Sequence, residues 1–141
     1  MSITLKHLSI QISLASVLGA ALAAASSGAE DQRSGGGWYT AEQADRGHLL
    51  YNTYCAECHR PELTGAMGPA LIGKPFLDKW SQKTLGDLYS FEHNTMPANN
   101  PGSVPEDKLV DITAYILSKN GFPSGTQALS PDVGMDRKLK P

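Results

Sequence analysis

The chain has 141 residues, a net charge of −2, and 18% charged against 40% hydrophobic residues. That length holds one small domain plus extensions. There is no basic run with interleaved aromatics, so the pattern gives no support to a nucleic-acid partner.

Lys6 supplies a positive start, and Leu8 to Ala25 is mostly apolar and small. Ala23-Ala24-Ala25 and Ser27-Gly28-Ala29 offer small-residue cleavage sites, which predicts a cleaved signal peptide over residues 1–29 and a periplasmic mature protein. The alternative is an uncleaved membrane anchor. Leu8 to Ala25 is near the lower length limit for a span, and Ser9, Gln11, Ser13 and Ser16 dilute it. A membrane is therefore expected only if this leader stays attached. Lys6 is the only Lys or Arg before Glu30 and no acid precedes it, so cleavage takes the net charge from −2 to −3. Residues 30–39, containing Ser34-Gly35-Gly36-Gly37, read as a flexible leader. It ends in Trp38-Tyr39, two aromatics that either pack on the domain or form an interfacial patch.

Thr40 and Gln43 fit a capping box that opens a helix running to about Tyr54. Gly47, Leu50, Tyr51 and Tyr54 recur at helical spacing on one face. Gly47 costs such a helix about 1 kcal/mol relative to alanine, which points to a close helix–helix approach. His48 lies beside that face and reads as a packing or exposed histidine rather than a ligand.

Cys55-Ala56-Glu57-Cys58-His59 follows directly. Two thiols three residues apart, with histidine after the second, read as a c-type haem attachment site. The sulfurs sit on one side of the backbone, within reach of the two vinyl groups of one porphyrin, and His59 is placed to offer an imidazole nitrogen to the iron. Three other readings compete. A dithiol redox pair normally sits beside a βαβ pattern, which is absent. Zinc wants four ligands, and His48 and His93 stand at no recognisable zinc spacing. A disulfide here would close only a tiny loop and stabilise little.

Arg60 to Lys74 is a loop rich in Gly and Pro. A ligating histidine usually donates its other ring N–H to a carbonyl or carboxylate; Pro69, in Gly68-Pro69-Ala70-Leu71, is the candidate for that carbonyl. Phe76 to Trp80 reads as a short helical piece. Trp80 either hydrogen-bonds a haem propionate through its indole N–H or fills core. Thr84, with Asp87 three residues on, caps a further helix through Leu85, Leu88 and Tyr89, which stops at Asn94-Thr95-Met96-Pro97. Met96 is the sixth-ligand candidate, since its thioether is a soft donor suited to haem iron. Met67 lies too near His59 in the loop, Met135 sits in a polar tail, and His93 would be the substitute if methionine were displaced. Pro105-Glu106-Asp107 opens the last helix, and Asn120-Gly121 ends it with Pro123 beyond. Residues 123–141 carry weak signals, so this tail either wraps the domain or stays loose. Its basic end, Arg137, Lys138 and Lys140, reads as a solvated terminus rather than a docking patch.

The order helix, Cys55–His59, proline loop, helix, Met96, helix resembles the class I (monohaem) c-type cytochromes over roughly Thr40 to Phe122. The resemblance implies an all-α fold, a cytochrome c domain over 40–122 with three to five helices around one covalently bound haem c. It also implies that the first and last helices cross, with Gly47 and Tyr51 against Tyr115, that Pro69 holds the proximal histidine, and that His59 and Met96 ligate the iron. The stretches Asn94 to Ser103, Ala114-Tyr115-Ile116-Leu117 and Asn120 to Pro123 are similar to haem domains found with quinoprotein (pyrroloquinoline quinone) dehydrogenases. That likeness suggests redox protein partners of a class that includes a quinoprotein dehydrogenase as donor, and the expected acceptor is an oxidase.

With both axial positions taken, the expected function is monomeric one-electron transfer and not catalysis. A peroxidase or gas sensor would need an open sixth position and distal acid–base residues, and no distal Arg–His pair stands out. A subunit of a larger oxidase or dehydrogenase would co-purify with its partner.

Overall fold

The computed structural model describes residues 36–141. The predicted signal over 1–29 and the leader up to residue 35 lie outside the described residues. Five helices follow one another: α1 Ala41–Tyr54, α2 Ala56–His59, α3 Lys74–Trp80, α4 Leu85–Thr95 and α5 Glu106–Lys119. The described residues form no strand ladder, only isolated bridges such as Thr84 with Lys138.

Local chemistry sets the ends. The Thr40 hydroxyl accepts the Gln43 N–H at 3.2 Å. The other half of that capping box does not form, because the Gln43 side chain is buried and turns to a distant partner described below. At α4 the box is complete: Thr84 and Asp87 satisfy each other's backbone N–H groups. α3 starts two residues earlier than expected, with Pro75 in its first turn, where a missing N–H costs nothing. α5 ends at Asn120, with Gly121 at φ 82°, the left-handed conformation glycine adopts freely.

The core is built on the crossing of α1 and α5. A Cβ on Gly47 would stand 1.8 Å from the Asp111 carbonyl oxygen and 2.9 Å from the Tyr115 Cβ. The backbones therefore touch where the sequence placed a glycine. Tyr51 is fully buried and its ring centroid lies 5.3 Å from that of Tyr115. Arg46 forks onto Asp111 at 2.8 and 3.1 Å across the same crossing. Gly47→Ala is expected to cost ~3 kcal/mol or more, since backbone rather than a side-chain tip must yield. Thermal melting should show a fall of roughly 10 °C or more; an unchanged melting temperature would mean that the helices do not meet at this point.

The packed unit reaches beyond 40–122 at both ends. Trp38 and Tyr39 are buried, and so are Leu129 and Leu139. The Tyr39 hydroxyl donates to the Phe122 carbonyl at 2.6 Å, and the Trp38 N–H to the Pro123 carbonyl at 2.9 Å. Gln43 makes a two-way amide pair with the Leu129 backbone, at 2.9 and 2.8 Å. That contact is what removes its side chain from the N-cap. No helix among the described residues is long and apolar enough to cross a membrane.

Candidate functional site

A cavity of about 420 Å³ opens among α2, α3, α4, α5 and the loops that follow α2 and α4, within the size range of cofactor sites. Cys55, Cys58, His59, Pro69 and Met96 all line it. Its walls are otherwise largely apolar, with Phe76, Leu88, Leu109, Ile112 and Ile116 among them.

His59 ends α2 and is buried. Its Nδ1 lies 2.7 Å from the Pro69 carbonyl oxygen. A carbonyl can only accept, so Nδ1 carries the proton and Nε2 keeps its lone pair for a metal. A Cβ on Gly68 would stand 2.4 Å from the His59 Cε1, so only glycine lets the loop lie flat against the imidazole. The loop is held in turn by the Gly68 N–H on the Cys58 carbonyl at 3.0 Å and by Asn120. The Asn120 amide donates to the Leu71 carbonyl at 2.9 Å and accepts the Gly73 N–H at 2.9 Å. The sequence had marked Asn120 only as a helix stop.

Burial pushes the Cys55 thiol up to about 12, with smaller contributions from Glu92 and Cys58. A reactive dithiol needs a lowered thiol pKa, so burial of Cys55 does not favour a redox pair. Among the described residues no group of three His, Cys, Asp or Glu side chains gathers as a metal site would require.

Met96 is the C-cap of α4, its N–H donating to the Glu92 carbonyl at 3.0 Å. Of the competing ligands, only Met67 also lines the cavity. Met67 is 76% exposed at the mouth of the cavity. Met135 packs in the tail, its carbonyl accepting the Gly86 N–H. His93 is off the cavity wall, with Nε2 3.8 Å from Glu106. His48 stacks on Tyr115 at 4.8 Å. Trp80 is buried on the cavity wall, edge-on to Phe91 at 5.5 Å, with the Lys79 ammonium 4.9 Å from its centroid.

Glu92 was not foreseen. It is buried on the cavity wall, and burial pushes its carboxyl up to about 8. The Thr113 hydroxyl donates to Glu92 Oε2 at 2.5 Å and also lies 2.9 Å from the Leu109 carbonyl oxygen; its bond offsets part of the effect of burial. The signal was present in Leu85, Leu88 and Glu92, which share one helical face: an acid on an apolar stripe.

Across residues 42–116, more than half of the chain, the sequence matches the family model described as cytochrome C oxidase, cbb3-type, subunit III. The chain belongs to this cytochrome c family. A cytochrome c domain of this kind transfers electrons and carries covalent haem c, and Cys55 and Cys58 hold it here. The cavity fits that group: apolar walls, two thiols at attachment spacing, a free imidazole nitrogen and a thioether. The cytochrome is similar in structure to a chain of the sulfane dehydrogenase SoxCD from Paracoccus pantotrophus, with TM-score 0.53 and 25% identity over 68% of this chain and 52% of that one. It is similar also to cytochrome CL from the marine methylotrophic bacterium Methylophaga aminisulfidivorans, with TM-score 0.43 and 20% identity over 57% and 55% of the two chains. The cytochrome thus spans about half the length of the solved chains it matches. Among curated proteins, none matches its sequence.

Proposed function

We propose that this cytochrome is a periplasmic one-electron carrier that takes electrons from a dehydrogenase and passes them to a terminal oxidase or other acceptor. The observation that carries the reading is one cavity that joins Cys55, Cys58 and His59 to Met96. When bound, haem c supplies reversible exchange of one electron between Fe(III) and Fe(II). His59, its Nδ1 held by the Pro69 carbonyl, would offer Nε2 to the iron, and Met96 on the same cavity would offer its thioether as the second ligand. The apolar walls exclude water. Glu92, the buried acid on the cavity wall, is engaged with Thr113.

Met96→Ala is expected to lower the midpoint potential by on the order of 0.1 V or more, because methionine as axial ligand raises it. The same variant should bind carbon monoxide where the parent does not. A redox titration with an unchanged potential, and no carbon monoxide uptake, would remove Met96 from the iron.

The likeness to a chain of a sulfane dehydrogenase supports a dehydrogenase as the donor. A second reading, a subunit held in a larger oxidase or dehydrogenase, is favoured by the family's description and by that same neighbour. Size-exclusion chromatography of the natively expressed protein separates the two: a free carrier elutes as a monomer, a subunit with its complex.

A further inference from the structure

We infer that the C-terminal segment 126–141 is a positioning element for Met96: a strap that fixes the start of α4, so that the thioether at its other end stays at the cavity wall. The inference rests on Met96 being an iron ligand.

The strap meets α4 at its first turn, where helical N–H groups have no partner within the helix. The Leu85 N–H donates to the Arg137 carbonyl at 2.9 Å and the Gly86 N–H to the Met135 carbonyl at 2.8 Å. Just before the helix, the Lys83 carbonyl accepts the Leu139 N–H at 3.0 Å, and Thr84 bridges Lys138. A Cβ on Gly86 would stand 3.0 Å from the Met135 carbonyl oxygen, so helix and strap lie in close contact.

The strap is anchored on the far side of the molecule. Leu129 and Leu139 are buried, and Gln43 of α1 binds both backbone groups of Leu129. The Arg137 guanidinium sits 3.7 Å over the Trp38 ring and donates to the Gly37 carbonyl at 2.8 Å. A cation on an indole face is favourable, most of all when partly desolvated. The strap therefore ties α4 to α1 and Trp38.

Besides the strap, α4 is held by the buried Leu85 and Leu88, by Phe91 against Trp80 and by Glu92 on Thr113. Its principal helical contact is with α5, and that crossing is much slighter than the one between α1 and α5. Eleven residues of helix form a rod of roughly 16 Å, so tilting its start displaces Met96 at its end. No residue of the strap lines the cavity. The direct route from strap to ligand is through α4.

The test uses the full-length, haem-loaded protein and two substitutions in the strap, Arg137→Ala and Leu139→Ala, with Arg137→Lys as the conservative control. Two signals are followed on heating: the methionine–iron charge-transfer band and the helical circular dichroism. The strap predicts that both alanine variants lose the band at a lower temperature than the parent while their helical signal persists. Arg137→Lys, which keeps a cation for Trp38, should restore part of the difference. If band and helix fall together by the same amount, the strap adds only general stability and the inference is wrong. If the parent lacks the band altogether, the Met96 assignment fails and the inference falls with it, an outcome distinct from joint loss of band and helix. Should Leu139→Ala not fold, Arg137→Ala, at a half-buried position, decides alone.

Discussion

Cys58→Ala is expected to yield little folded holoprotein. Two losses combine. One thioether tether disappears, and with it part of the registration of the ring above His59. The second loss concerns the fold itself. A cavity of about 420 Å³ runs through the middle of this small protein. Without the cofactor its largely apolar walls face water instead of a ring, which removes a large share of the apolar burial that holds the helices together. Ligand-linked stability of this kind makes folding inseparable from loading. The check is the yield of exported protein and its covalent haem content by denaturing gel with haem stain. Normal yield with covalent haem retained would refute attachment through Cys58.

Glu92 gives a pH dependence of opposite sign to that of most carboxylates. Its folded-state pKa is raised from the usual 4.5 to about 8 by burial, so the native state holds a proton that the unfolded chain releases. The stabilising contribution is therefore fully present below about pH 4.5 and is lost as pH rises through 8. The amount is on the order of 5 kcal/mol for a shift of this size. Melting temperature should fall between pH 5 and 8.5, and Glu92→Gln, which keeps an acceptor for Thr113, should flatten the fall. A parent protein whose melting temperature is level over that range would contradict a neutral Glu92.

What the sequence made legible were features whose chemistry fixes a local spacing. Cys55, Cys58 and His59 must stand together to attach one porphyrin. Thr84 and Asp87 must be three apart to cap each other. Gly47 stands out because glycine inside a helix is costly unless another backbone touches it, as that of Asp111 does. The features that escaped notice take their meaning from distant partners. Gln43 read as the second half of a capping box, yet its amide pairs with Leu129, 86 positions on. Arg137 read as part of a solvated terminus, yet it covers Trp38. Asn120 looked like a helix stop, and it also ties down the loop that carries Pro69 to α5. The tail has no hydrophobic period because it adds no helix. It is held by backbone hydrogen bonds to elements the local pattern cannot name. Glu92 lay on a visible stripe, but nothing local shows whether such an acid is buried.

The most direct test of the central claim is an absorption spectrum of the mature protein, oxidised and reduced, with and without carbon monoxide. A low-spin c-type spectrum with the methionine–iron charge-transfer band, unmoved by carbon monoxide, is the expected result, and it means a closed His59–Met96 site built for electron transfer. A high-spin spectrum, or ready binding of carbon monoxide, would contradict it and make this cytochrome an enzyme or sensor with an open iron position.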